Sequence, residues 1–170
     1  MSLLAVTVVG HDRPGIVAEV TAAIAEMGGN LEDSSMSLLR GHFAMTLVAE
    51  LSVEPEDLRH RLSSLSEDGL SVSVLKVPSE TPANPGTMAQ LSVHGADRPG
   101  IVSAATEAVA RHGGNIVDLA TRLGTELYVL VADVDFPADT NLTVVNDDLM
   151  VAMEPLGVQA RVRPADEDVL

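Results

Sequence analysis

An α+β fold built twice is what this sequence predicts: two βαββαβ units in tandem, each a four-stranded antiparallel sheet with its helices on one face, paired with each other or across a dimer. Three observations carry that prediction. Sliding the chain by 85 positions aligns Val8–Asp33 with Val93–Asp118, and 15 of those 26 positions are identical, which marks an internal repeat. Within each copy the apolar residues switch between a period of two and a period near 3.6, in the order strand, helix, strand, strand, helix, strand. Between the copies, Pro78-Ser79-Glu80-Thr81-Pro82-Ala83-Asn84-Pro85-Gly86-Thr87 holds three prolines and no bulky apolar side chain, the composition of a stiff linker that reaches about 30 Å when extended. The domains are therefore drawn at 1–77 and 88–170, with 78–87 between them.

Taken in order, Leu4, Val6 and Val8 begin a strand that stops at Gly10, and Ile16, Val20, Ile24 and Met27 then recur at helical spacing until Gly28-Gly29 ends the helix. Leu31–Leu39 and Phe43–Leu51 read as two strands of a hairpin turned by Arg40-Gly41-His42. Pro55 opens a second helix with Leu58, Leu62 and Leu65 on one face, Gly69 closes it, and Leu70, Val72 and Val74 alternate with serines in a strand with one buried face. The second copy repeats the plan. A strand starts at Met88 and a helix carries Ile101, Ala105 and Val109. Strands follow over Ile116–Leu123 and Glu126–Asp135, then a helix with Leu142, Val145, Leu149 and Met153, and a last strand over Val158–Val162. This reading makes the second hairpin one residue shorter than the first. A unit of about 75 residues is marginally stable alone, so a homo-oligomer, most simply a dimer, is expected.

Composition narrows the function. With 46% hydrophobic residues the chain can build a real core, yet Phe43, Tyr128 and Phe136 are its only aromatics, so platforms for stacking bases are nearly absent. The net charge of −15 is spread evenly, −6 over residues 1–77 and −8 over residues 88–170. No basic face is left to neutralise phosphates, and direct nucleic-acid binding would be repelled. A repressor role would need a partner that touches DNA. There is no cysteine, hence no thiolate nucleophile or disulfide framework. The opening MSLLAVTVVG lacks a basic stretch and is too short to span a bilayer, so it reads as a first strand in a cytoplasmic protein with no membrane partner. The five histidines, 11, 42, 60, 94 and 112, show no ligand spacing, and no nucleophile elbow, phosphate loop or dinucleotide fingerprint occurs. No metal, no cofactor and no enzymatic activity are expected. Asn141-Leu142-Thr143 matches a glycosylation sequon by chance, and Asp147-Asp148 and Asp166-Glu167-Asp168 read as solvated acidic surface.

What remains is the turn spelled twice, G-H-D-R-P-G-I-V at Gly10–Val17 and G-A-D-R-P-G-I-V at Gly95–Val102. Each falls where the first strand ends and the first helix begins. Such a junction presents unpaired N–H groups and the positive end of the helix dipole, which suit a carboxylate or phosphate. Proline restricts the turn and glycine lets a ligand approach the backbone. The N–H groups of Gly15, Ile16 and Val17, and of Gly100, Ile101 and Val102, are candidate donors. A purely structural account also fits: Asp12 and Asp97 cap the helices, Pro-Gly shapes the turn, and the apolar pair is core. Asn30 and Asn115, after Gly-Gly, lie at the far end of each helix, where a left-handed helix cap with an Asx turn would explain them equally.

A strand, D-R-P-G-I-V, an amphipathic helix, G-G-N-(L/I) and a closing ββαβ, present twice over nearly the whole chain, resemble the ACT domain. VVGHDRPGIV with GGNLEDSSMSLLRGHFAM looks most like tandem ACT proteins of the glycine cleavage system transcriptional repressor type. The resemblance implies ferredoxin-like regulatory units that bind a small amino acid at interfaces between paired units, the first loop of one meeting the early second strand of the next. Ligand occupancy would change association with the protein itself or with a protein target. It assigns His11, Asp12, Pro14, Gly15, Ile16 and Val17, with Asn30 and Leu31, to one site. It assigns Ala96, Asp97, Pro99, Gly100, Ile101 and Val102, with Asn115 and Ile116, to the other. Serine-binding ACT units of phosphoglycerate dehydrogenase place a histidine and an asparagine in this loop; Gly10 or Gly95 and Asp12 or Asp97 stand here instead, separating this chain from that pattern. His11 against Ala96 also distinguishes the two copies.

Overall fold

The computed structural model describes residues 1–79, 86–124 and 127–165, and the chain divides into two compact units, Met1–Pro82 and Ala83–Leu170. Most of the expected linker, Glu126 and the acidic tail lie outside the described residues. The first unit runs β1 (Ser2–His11), α1 (Ile16–Glu26), β2 (Asn30–Leu39), β3 (His42–Leu51), α2 (Pro55–Arg61), α3 (Ser63–Glu67) and β4 (Ser71–Val77). The second runs β5 (Thr87–Gly95), α4 (Ile101–Arg111), β6 (Asn115–Leu123), β7 (Tyr128–Phe136), α5 (Leu142–Met153), a 3-10 turn Glu154–Leu156 and β8 (Gln159–Pro164). Each sheet is antiparallel with equivalent strand order, β2-β3-β1-β4 and β6-β7-β5-β8. This is the βαββαβ plan read from the sequence, an open ferredoxin-like sheet with helices on one face.

Period-two alternation decides which face that is. Leu4, Val6 and Val8 on β1 and Phe43, Met45, Leu47, Ala49 and Leu51 on β3 are buried. The helical stripe Ile16, Val20, Ala23 and Ile24, with Leu58, Leu62 and Leu65, packs with them in one apolar cluster. Each fully buried Leu or Ile contributes about 1.5–3 kcal/mol relative to exposure. A second cluster does the same for the other unit, with Leu91, Ile101, Val109, Leu130, Phe136 and Leu149 at its centre. The edge strand β2 adds nothing to its unit's buried core. All ten of its residues are exposed, although Leu31, Met36 and Leu38 face the helix side by register with Ala49, Met45 and Phe43.

Four details depart from the sequence reading. The helix begun by Pro55 is broken at Leu62 (φ −91°, ψ 10°). The serine-rich stretch Ser63-Ser64-Leu65-Ser66 holds a helix poorly, and Leu65 N–H bonds the Leu62 carbonyl three residues back, at 3.1 Å. His42 belongs to β3, opposite Leu39 and His11. The hairpin turns through Arg40 (φ 51°) and Gly41 (φ 84°), the two positive φ angles of a type I′ turn. The second hairpin is no shorter, because Leu123↔Tyr128 stands 85 positions from Leu38↔Phe43. Finally, both early second strands carry a bulge, between Leu31 and Asp33 and between Ile116 and Asp118.

The Gly-Gly pairs have separate jobs. Gly28 ends α1 in a left-handed conformation, and Gly29 N–H bonds the Ile24 carbonyl at 2.9 Å, closing the helix with backbone groups alone. Gly29 is pressed against the sheet: a Cβ there would lie 2.6 Å from Leu51 Cγ, and one on Gly114 2.5 Å from Phe136 Cε1.

Candidate functional site

Both D-R-P-G-I-V segments fold alike. At the end of β1 the Asp12 N–H donates to the Gly41 carbonyl at 3.2 Å, fastening the loop to the β2–β3 hairpin. Arg13-Pro14-Gly15-Ile16 then turns with Gly15 at φ 95°, ψ −11°, and Gly100 matches it at φ 97°, ψ −5°. Proline second and a left-handed glycine third are the signature of a type II turn. Pro14 therefore precedes the helix, and Gly15 is the N-cap. Neither helix has a side-chain cap, so Asp12 and Asp97 are exposed acids of the loop and do not cap. The first helical bonds run from Glu19 N–H to the Gly15 carbonyl and from Ala104 N–H to the Gly100 carbonyl, each 2.9 Å. The N–H groups of Ile16, Val17 and Ala18, and of Ile101, Val102 and Ser103, have no intrahelical acceptor.

An open cleft lies against each of these turns. In the first unit it has a volume of about 530 Å³, bounded by Asp12, Arg13, Gly15 and Val17 of the loop and helix start and by Met36, Leu38 and Phe43 of the hairpin. In the second it is about 420 Å³, bounded by Asp97, Arg98, Gly100, Val102, Ser103 and Tyr128. The Ile16 and Ile101 side chains belong to the cores, so only their backbone is available. Met36 and Leu38 in the first cleft, and Ser103 and Tyr128 in the second, were not singled out from the sequence. The alternation of β2 and the hairpin register would have placed Met36 and Leu38 on the cleft side.

The loops are braced differently. Arg13 donates to Glu19 Oε1 (2.8 Å) and Oε2 (3.2 Å), to Asp68 Oδ2 (2.7 Å) and to the Pro14 carbonyl (3.3 Å). These bonds tie the loop to α1 and to the connection before β4. The Arg13 hydrogen bond holds the Glu19 carboxyl below the usual carboxylate range, with desolvation opposing it. In the second unit Ala104 stands for Glu19, and Leu156, just before the left-handed Gly157, stands where Asp68 precedes Gly69. Arg98 is exposed and has no ion pair among the described residues. His11 and His42 face each other across β1 and β3 with ring centroids 5.6 Å apart, whereas the second copy has Ala96 and Leu127.

Asn30 and Asn115 do not join these clefts within a unit. They start β2 and β6, at the far end of an eleven-residue helix about 16 Å long. By register Asn30 faces Glu50 and Asn115 faces Asp135 across neighbouring strands, so each asparagine has an acid beside it. Leu31 and Ile116 follow on the helix side of the sheet. Among the described residues, no group of three or more His, Cys, Asp or Glu is placed to hold a metal ion. No described helix is long and apolar enough to cross a membrane.

Two open antiparallel sheets, each with its helices on one face and a Pro-Gly turn opening on a cleft, define a duplicated module of ferredoxin-like type. The ACT domain model matches the sequence twice, over residues 2–74 and 87–163, and the chain belongs to the ACT domain family. It is 42% identical over 78 residues to a UPF0237 protein of Methanopyrus kandleri, an alignment covering 44% of this chain and 86% of that one. It is 32% identical over 123 residues to the glycine cleavage system transcriptional repressor of Escherichia coli, covering 70% of this chain and 64% of the repressor. Among solved structures, an unknown protein from Galdieria sulphuraria superposes with a TM-score of 0.82 at 29% identity, covering 96% of this chain and 98% of that one. The chain is a tandem ACT protein similar to the glycine cleavage repressor type.

Proposed function

We propose that this protein is a non-catalytic regulator that senses a small amino acid at interfaces between ACT units and changes its association with itself or with a target as the sites fill. The observation that carries the reading is the repetition of one arrangement: in both units an open cleft lies beside first-turn N–H groups that have no intrahelical acceptor. The ligand carboxylate rests on those N–H groups, where the helix dipole favours negative charge. Asp12 or Asp97 takes the ammonium, or Asn30 or Asn115 of a neighbouring unit does so, with Glu50 or Asp135 beside it as counter-charge. Leu31 and Ile116 of the neighbour close the site. Binding energy released across an interface biases an association equilibrium, and a homodimer supplies such interfaces. A glycine-sized ligand, at a ceiling near 1.5 kcal/mol per heavy atom, binds no tighter than about micromolar, which suits the sensing of a metabolite pool. With a net charge of −15, any effect on transcription passes through a DNA-binding partner.

A thermal-shift screen of the twenty amino acids at millimolar concentration tests this. Ligand at 100 times Kd adds about 2.7 kcal/mol, a clear rise in Tm; a flat response to all twenty would contradict the reading. The fully exposed β2, with Leu38 and Leu39 at least half exposed, favours a second reading. An open strand edge is a template for a partner strand, and a protein adaptor acting through it without ligand would give that flat response.

A further inference from the structure

We infer that the two clefts have diverged in ligand class: the first takes an amino acid with an apolar side chain, the second an amino acid carrying a second carboxylate. This rests on the reading of the clefts as amino-acid sites and goes further, because it follows from how their linings differ. The clefts are equivalent by the 85-residue repeat, and the differences in lining run in one direction. Phe43 is replaced by Tyr128 and Ala18 by Ser103, each adding a hydroxyl. Met36, half exposed on the wall of the first cleft, corresponds to Thr121.

The arginines complete the contrast. In the first cleft Arg13 is bound to both oxygens of Glu19 and to Asp68, so its charge is already answered and the cleft offers Val17, Met36 and Leu38 to a ligand. In the second, the loss of both acids to Ala104 and Leu156 leaves Arg98, an exposed residue of the cleft lining, without an ion pair among the described residues. A guanidinium binds a carboxylate through two parallel N–H donors. Tyr128 adds a further donor, while Ser103 Oγ is already engaged with the Gly100 carbonyl at 3.0 Å. An apolar side chain would strip water from that guanidinium and return nothing. A second carboxylate in the first cleft would meet apolar walls and a neutralised arginine.

Calorimetric titration of the full chain with L-leucine and L-glutamate, singly and each in the presence of the other at saturation, tests the inference. Both amino acids are expected to bind, without competing. Arg98→Gln weakens glutamate about tenfold or more and Arg98→Lys recovers part of the loss, whereas Leu38→Ser weakens leucine about fivefold. Both positions are on the surface, so the variants fold. Mutual competition, or glutamate affinity unmoved by Arg98→Gln, overturns the divergence. So does a protein that ignores both probes while another amino acid raises its Tm, an outcome that leaves amino-acid sensing intact. No response to any of the twenty removes both readings.

Discussion

Gly29 and Gly114 sit where the end of each unit's first helix meets an inner strand, β3 or β7, and no side chain fits there. A Cβ would come within 2.6 Å of Leu51 Cγ in one unit and 2.5 Å of Phe136 Cε1 in the other, and both partners are fully buried. Overpacking of this kind costs about 1–3 kcal/mol. Gly29→Ala and Gly114→Ala are therefore expected to destabilise by that amount in denaturant unfolding, and unchanged midpoints would show that the helix end relaxes freely. The same residues show what a sequence conceals. G-G-N reads as a helix terminus, and one is there, but the need for the second glycine arises from a strand packed beneath it that no local pattern reveals. Likewise Asp12 stands where a helix cap is plausible, yet a left-handed Gly15 (φ 95°) moves the cap three residues on and leaves the aspartate in solvent.

At the scale of elements, the loop that opens the first cleft is held by Arg13 between α1 and the connection preceding β4. The carboxyl of Glu19 is kept below its ordinary range by the hydrogen bond from Arg13. The pair's contribution is therefore complete above the ordinary glutamate pKa of about 4.3 and is lost as pH falls through the depressed value. Glu19→Gln is expected to lower Tm slightly at pH 7, since both side chains are partly exposed and such pairs are weak. The difference from the parent should shrink as melts are carried to acid pH through the depressed Glu19 value; a difference independent of pH would mean that the ion pair is not its source. Strand and helix positions were legible because the core-facing periods are unbroken, as in Phe43-Met45-Leu47-Ala49-Leu51. The apolar wall of the first cleft was not legible. Met36 and Leu38 follow the pattern of a buried strand face, and only the placement of the helices leaves them open. The break at Leu62 and the bulges after Leu31 and Ile116 were hidden for a similar reason, since each preserves the apolar pattern while altering the backbone.

Over the whole molecule, duplication supplies two complete cores and two copies of one cleft, set in a chain of net charge −15. Each unit folds around its own cluster, so differences between the loops, such as Arg13 with its two acids against Arg98 without them, accumulate without disturbing the other copy. The repeat was plain in the sequence because D-R-P-G-I-V recurs intact. The divergence of the copies needed the fold, which matches Asp68 with Leu156 across segments of different length. Amino-acid sensing by this protein depends most directly on whether the first-turn amides receive the ligand. In amide-resolved NMR of the full chain, titrated with whichever amino acid raises Tm most, the largest shift changes are expected at Gly15–Val17 or Gly100–Val102, or both. Changes confined to the β2 or β6 edge, with those amides still, would contradict it.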